Sequence, residues 1–233
     1  MSRLRFALLD ASHGTDHTRR NFRRELDADL AEFDVTAGSF PADFDYDAAV
    51  VTGSRSSVYW DEPWIDDLLD WLERAADRSL PILGVCYGHQ ALAEALGGRV
   101  ESMDDIELGY REISHEGDPL FAGIESPFVA FETHSDRVVD LPPGATLLAE
   151  NDCGVQAFRR GDCWGVQFHP EYDRSSAATI TRGKELPDDR IQSVLDGIDA
   201  DAYAAACRTK RLFDNFTGYV RQRRDATPGC SEA

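Results

Sequence analysis

Two short stretches carry residues that could do chemistry together. In Leu80-Pro-Ile-Leu-Gly-Val-Cys86-Tyr-Gly88-His-Gln90 an apolar run meets a cysteine set between glycines, and an Ala/Leu-rich helical pattern follows to Gly98. Pro81 to Val85 suits a strand buried on both faces, and Leu92 and Leu96 lie one helical turn apart, so the chain must turn sharply at Cys86. Gly84 and Gly88 remove the Cβ atoms that would crowd such a turn, and a helix beginning after it aims its free N–H groups at the sulfur. Such surroundings favour thiolate over thiol and parallel the strand-turn-helix elbow of serine hydrolases. A buried structural cysteine is the ordinary alternative; the flanking glycines weaken it without removing it.

The second stretch is Trp164-Gly-Val-Gln-Phe-His169-Pro170-Glu171, a strand running into a histidine. A thiolate attacking an amide needs a base that takes up a proton and returns it to the leaving amine, a group that orients the base, and donors for the oxyanion. Pro170 fixes the backbone so that His169 and Glu171 project together, the carboxylate holding the imidazole tautomer. Taken alone, this is a strand-end histidine near an incidental carboxylate; beside the elbow it becomes the missing base.

The elements that must position these residues follow from period and punctuation. Leu4–Leu9 reads as a first strand, about Asp16 to Glu32 as a charged helix, Phe33–Thr36 as a second strand and Tyr46–Thr52 as a third. Trp64, Ile65, Leu68, Leu69, Leu72 and Ala75 keep helical spacing, with Asp61 as N-cap and Pro63 in the first turn. This alternation predicts an α/β fold, a mainly parallel central sheet flanked by helices, with functional loops at the carboxyl ends of its strands. After Gly98 the segments Arg99–Ser102, Gly109–Ile113, Phe128–Glu132, Thr146–Ala149, Val155–Phe158 and Cys163–Phe168 read as a small antiparallel addition. The chain then turns helical, over Ala177–Arg182, Asp188–Ile198 and a closing helix striped by Leu212, Phe213, Phe216, Tyr219 and Val220. A single domain over 1–224 is expected, with a disordered tail over 225–233.

Composition bounds the partners. Asp and Glu outnumber Lys and Arg by 43 to 24, giving a net charge of −19, a surface that repels nucleic acid and anionic membranes. Only Lys184 and Lys210 are lysines, and an acid-rich, lysine-poor chain resembles salt-adapted, halophilic proteins. No stretch has signal-peptide or membrane-spanning character, so a cytoplasmic location is expected. The five cysteines, Cys86, Cys153, Cys163, Cys207 and Cys230, read as reduced thiols, with Cys153 and Cys163 facing each other across a hairpin. Neither cysteines nor histidines show tight metal-ligand spacing, so no metal and no cofactor are expected.

With the elbow and the His-Pro-Glu stretch in place, the chain resembles the class I, triad-type glutamine amidotransferase family. The matching residues are Gly84-Val-Cys86-Tyr-Gly88-His-Gln90, His169-Pro170-Glu171, the turn Thr52-Gly53-Ser54, and Thr133-His134-Ser135-Asp136-Arg137-Val138; the last is similar to a segment of the amidotransferase domain of GMP synthases. The resemblance spans about residues 4–172, together with the closing helix. It implies a flavodoxin-like fold, with Cys86 as nucleophile forming a γ-glutamyl thioester, His169 as general base and acid, and Glu171 as its orienter. The N–H groups of Gly53 and Tyr87 would form the oxyanion hole, and Gln90, Ser135 and Asp136 would line the glutamine pocket on a loop over 133–138. His89 receives no role, and His134 stands between substrate contact and a structural loop histidine.

The turn Thr52-Gly53-Ser54-Arg55-Ser56-Ser57 departs from the Gly-Gly-Pro turn of biosynthetic members and resembles stand-alone members, including those similar to γ-glutamyl peptidases. Two enzymatic readings therefore stand: hydrolysis of the glutamine γ-amide, with ammonia passed to a GMP-synthase-like synthetase subunit, or cleavage of γ-glutamyl peptides, with Arg55, Tyr59 and Trp60 at the pocket mouth. A non-catalytic binding module is the reading from another class. A homodimer stays open. The segment over about 174–205 exceeds the family core and is expected to be a solvated helical insertion, with packing at the active-site mouth, partner docking or a dimer surface as alternatives.

Overall fold

The computed structural model describes residues 3–226, and the carboxyl-terminal tail lies outside the described residues except for its first two positions. Nine strands form one sheet: β1 (Arg5–Asp10), β2 (Asp29–Asp34), β3 (Ala48–Val51), β4 (Ile82–Val85), β5 (Arg99–His115), β6 (Phe128–Asp140), β7 (Thr146–Asn151), β8 (Gly154–Arg160) and β9 (Cys163–Val166), ordered β2-β1-β3-β4-β9-β8-β7-β5-β6. The run from β2 to β9 is parallel and the remainder antiparallel. The helices are α1 (Asp16–Glu25), α2 (Pro63–Asp77), α3 (Tyr87–Ala95), α4 (Arg174–Arg182), α5 (Asp188–Asp196), α6 (Ala200–Ala206) and α7 (Arg211–Ala226). None is long and apolar enough to cross a membrane.

The parallel strands are short because both their faces are covered: every residue of β3, β4 and β9 is buried. α2 and α3 cover one face, over a core that includes Leu9, Val51, Leu68, Leu72 and Leu92. On the other, α1 and α7 close over Phe6, Leu8, Leu83, Val85 and Trp164. Phe216 of α7 sits edge-on to Phe6 and to Trp164, with ring centroids 5.9 Å apart in each case. Phe216→Ala is expected to cost about 3–5 kcal/mol through the cavity it leaves, measured by urea unfolding.

Several local expectations are corrected. α1 stops at Glu25, and the acidic segment Asp29–Asp34 is strand β2, pairing in parallel with β1. Glu62, not Asp61, stands at the N-cap of α2, and its side chain makes no cap hydrogen bond. The pieces expected at Arg99–Ser102 and Gly109–Ile113 belong to one long strand, β5. The 133–138 segment, expected as a loop, is the second half of β6, with His134 opposite Glu107 and Asp136 opposite Ser102. Cys153 and Cys163 do not face each other: Cys153 precedes β8, whereas Cys163 follows it and pairs with Arg160. The four described cysteines are free thiols.

The 174–205 segment is not a solvated appendage. α4 and α5 pack over β5 and β6, burying Leu108, Phe131, Ala177 and Ile198, with Ile106, Tyr172, Val194 and Leu195 packed against them. Polar ties fix this roof. Asp173 caps α4 by accepting from the Ser176 N–H at 2.7 Å, and Arg190 reaches Asp105 at 2.7 Å and the Ile106 carbonyl at 2.9 Å.

Candidate active site

The carboxyl ends of β1, β3, β4 and β9 open on a single cavity of about 280 Å³, whose walls include Ser12, Gly53, Cys86, Thr133, His169 and Lys184. Cys86 stands between β4 and α3 with φ 55° and ψ −105°, a backbone conformation that L-residues rarely adopt and that typically stores about 1–3 kcal/mol of strain. Its N–H donates to the Val166 carbonyl at 2.8 Å, tying the turn to β9. The flanking glycines are sterically required. A Cβ at Gly84 would lie 2.2 Å from the Gly88 carbonyl oxygen, and one at Gly88 would lie 2.5 Å from the Val51 carbonyl oxygen. α3 starts at Tyr87, so the Tyr87 N–H has no intrahelical acceptor and stands beside the sulfur-bearing residue.

His169 is delivered by the segment leaving β9, and its N–H donates to the Phe131 carbonyl at 2.9 Å. Its Nδ1 lies 2.8 Å from Glu171 Oε1, the geometry in which the carboxylate accepts an Nδ1 proton and leaves Nε2 for chemistry. Nε2 is buried without a hydrogen-bond partner among the described residues, and the imidazole lies within electrostatic reach of the Cys86 sulfur. Burial disfavours the His169 cation, but the Glu171 carboxylate and the Cys86 sulfur outweigh it, raising the pKa to about 10. The Tyr172 ring stacks on the imidazole at 4.1 Å, and Arg24 donates to the Glu171 carbonyl at 2.6 Å, holding the turn against α1.

The sign of that shift gives a prediction. Opposite charges favour the imidazolium, so the His169 midpoint in an NMR titration is expected well above the ordinary histidine value of 6.5, near 10. Glu171→Gln and Cys86→Ala should each move it down. The stabilisation this ion pairing contributes is fully present below about pH 6.5 and is lost as pH rises through about 10.

Gly53 completes the wall. A Cβ there would sit 3.1 Å from His169 Cε1 and 3.7 Å from Cys86 Cβ, so its backbone lies against both side chains. The Thr52 hydroxyl accepts from the Ala11 N–H at 2.9 Å, joining the loops after β1 and β3.

Cys86, His169, Glu171 and Gly53 therefore meet at one cavity, with Tyr87 adjoining. Gln90, Ser135 and Asp136 are not among the residues that line it. The Gln90 amide donates to the Asp136 carbonyl at 3.0 Å and to Gln167 Oε1 at 3.1 Å. The Asp136 carboxylate accepts from Ser57 at 2.6 Å and from Tyr59 at 2.8 Å, so it anchors the loop that follows Gly53. Of the three mouth residues expected, Arg55 lines the cavity and Tyr59 and Trp60 do not.

His89 is fully buried against Phe158, and burial pushes its pKa down to about 3. His134 lies off the cavity, its Nδ1 2.9 Å from the Asp136 carbonyl and its Nε2 2.9 Å from Glu107 and 3.4 Å from Glu132. Among the described residues these three are the group whose spacing could hold a metal ion, with ligand atoms within 4.8 Å of one another. Burial opposes a charged His134, but its two carboxylate neighbours raise the pKa to about 10, so an imidazolium fills the position between them.

Cavity residues that sequence reasoning missed include His17, Tyr172 and Lys184. Tyr172 was within reach, directly following the His-Pro-Glu stretch. His17 and Lys184 enter only through the packing of α1 and the α4 roof, which no local pattern announces.

The arrangement suits thiolate attack on an amide or ester. Residues 14–182 match the family model described as glutamine amidotransferase class-I. A GMP synthase from Thermosipho africanus is 36% identical over 133 residues, covering 55% of this chain and 25% of that protein. Gamma-glutamyl peptidase 5 from Arabidopsis thaliana is 34% identical over 154 residues, covering 61% of each chain. The chain thus spans about a quarter of that GMP synthase and less than two thirds of the peptidase. Among solved structures, a glutamine amidotransferase from Thermotoga maritima superimposes with a TM-score of 0.79 at 20% identity, covering 93% of this chain and 99% of that one, which speaks for the fold. Family match, fold and site geometry converge on one conclusion: the chain belongs to the class I glutamine amidotransferase family and is an enzyme of that type.

Proposed function

We propose that the chain hydrolyses the γ-amide of glutamine through a Cys86 thioester. The Cys86 sulfur attacks the amide carbon, and the proton held by His169 passes to the leaving amine, so that ammonia departs and a γ-glutamyl thioester remains. Water then attacks the thioester; His169 takes the water proton and returns it to sulfur as glutamate leaves. Glu171 fixes the tautomer and supports the imidazolium, and the N–H groups of Gly53 and Tyr87 receive the oxyanion. The observation that carries this reading is the His169 imidazole, held by Glu171 at 2.8 Å and turned toward Cys86 in one cavity wall. For Gln90 and Asp136, the contacts described above favour support of the pocket loop over direct substrate contact. The GMP synthase relatives motivate a synthetase subunit as ammonia acceptor.

A second reading is favoured by the peptidase relatives, which are matched over a larger share of their own length, 61% and 62%, and by the Thr52-Gly53-Ser54-Arg55 turn. In it the same thioester forms from a γ-glutamyl peptide and an amino acid or peptide leaves in place of ammonia. Ammonia release from glutamine should be measured beside amine release from γ-glutamyl dipeptides, with and without a GMP synthetase subunit. Glutamine turnover raised by the synthetase supports the first reading; efficient dipeptide cleavage by the chain alone supports the second.

A further inference from the structure

The roof formed by α4 brings a lysine to the catalytic cavity. α4 ends at Arg182, and the next two residues, Gly183 and Lys184, line the same cavity as Cys86 and His169. The Lys184 N–H donates to the Thr181 carbonyl at 3.2 Å, and the buried contacts of Ala177 and Ile198 with β5 and β6 hold the helix in place. The position of this side chain is therefore set by packing and is not that of a free surface lysine.

The other lysine, Lys210, is paired with Glu25. Among the described residues Lys184 has no ion-pair partner, and neither does Arg55, which lines the same cavity from the loop after β3. Among the described residues Glu171 is the only carboxylate residue in the cavity wall, and it is engaged with His169. Burial lowers the Lys184 pKa and the Cys86 sulfur opposes that, placing the ammonium within electrostatic reach of the nucleophile. A chain carrying a net charge of −19 thus turns two unspent cations toward its reaction cavity. A half-buried ammonium without a counter-charge is costly until an anion arrives, and that cost becomes selectivity for anionic ligands.

We propose that Lys184 binds a carboxylate of the γ-glutamyl substrate, so that the α4 roof determines specificity for anionic amides. This rests on the γ-glutamyl reading above. The carboxylate belongs either to the glutamyl unit or to the departing amino acid of a γ-glutamyl peptide.

The test begins with two small alkylating agents of opposite character, iodoacetate and iodoacetamide, applied to the full chain at one ionic strength. Their rate ratio at Cys86 cancels any change in the sulfur itself and reads only the preference for a carboxylate. Lys184→Met should lower the iodoacetate to iodoacetamide ratio by about tenfold, the loss of one charged hydrogen bond, and Lys184→Arg should restore most of it. An unchanged ratio in folded Lys184→Met overturns the proposal whether or not any substrate is turned over. Steady-state assays then locate the carboxylate. A KM raised alike for glutamine, γ-glutamylethylamide and γ-glutamylglycine assigns Lys184 to the glutamyl carboxylate; a rise confined to γ-glutamylglycine assigns it to the leaving amino acid. Unchanged KM for all three overturns the role in substrate binding. Should the wild-type chain turn over none of them, the γ-glutamyl reading falls, and the alkylation ratio still decides the anion preference.

Discussion

Cys86→Ala is expected to lower glutamine or γ-glutamyl amide hydrolysis by roughly four to six orders of magnitude while leaving the fold intact. In the proposed mechanism the loss is large because the sulfur is the atom that forms the bond, and the other groups of the site act through it. Alanine removes one sulfur from a cavity wall without adding bulk, and the strained φ of 55° at this position remains the only local cost. Activity should be followed by ammonia release and folding by urea unfolding. Residual activity near the wild-type level would mean that the bond is made elsewhere. Cys86→Ser keeps the same shape with a poorer nucleophile and should fall close to the alanine variant.

The second large effect concerns the glycines, and its direction differs by position. Gly84→Ala and Gly88→Ala each place a Cβ into backbone, 2.2 Å from the Gly88 oxygen in the first and 2.5 Å from the Val51 oxygen in the second. Neither obstacle is a side chain that can rotate away, so β4, α3 and β3 must separate. Each variant should lose more than about 4 kcal/mol of stability or fail to accumulate as folded protein. Gly53→Ala meets side chains instead, at 3.1 Å from His169 Cε1 and 3.7 Å from Cys86 Cβ. It should fold, with a stability loss of about 1–2 kcal/mol, and lose activity because the imidazole is displaced from the sulfur. Urea unfolding and turnover measured on all three variants separate these outcomes. Equal destabilisation at the three positions would contradict the description of the elbow.

The convergence of Cys86, His169 and Glu171 was legible because their backbone settings are written in local sequence. A cysteine between glycines at a change of period and a His-Pro-Glu step after a strand both describe backbone geometry, and the structure brings them to one cavity. What was not legible depends on tertiary contacts. Asp29–Glu32 reads as a continuation of α1 because an edge strand with partly exposed residues needs no apolar alternation; pairing with β1 is what makes it part of strand β2. The 133–138 segment carries the polar residues of a loop, yet His134 and Asp136 are buried in β6, where Glu107, Ser57 and Tyr59 satisfy them. Those partners lie far away in sequence, so polarity alone pointed to the surface. Lys184 is the same lesson at the cavity, since nothing near it in sequence distinguishes a residue of a solvated helix from one beneath a packed roof.

The Cys86 sulfur is the atom proposed to meet a γ-glutamyl carbonyl, and one measurement addresses this directly. The folded protein is incubated with a chloroketone analogue of glutamine and the modified residues are located by peptide mass analysis. A single adduct on Cys86, suppressed by excess glutamine or a γ-glutamyl dipeptide and lost in Cys86→Ala, is the predicted result. An unmodified Cys86 in folded protein, or equal labelling of Cys153 and Cys207, would contradict it.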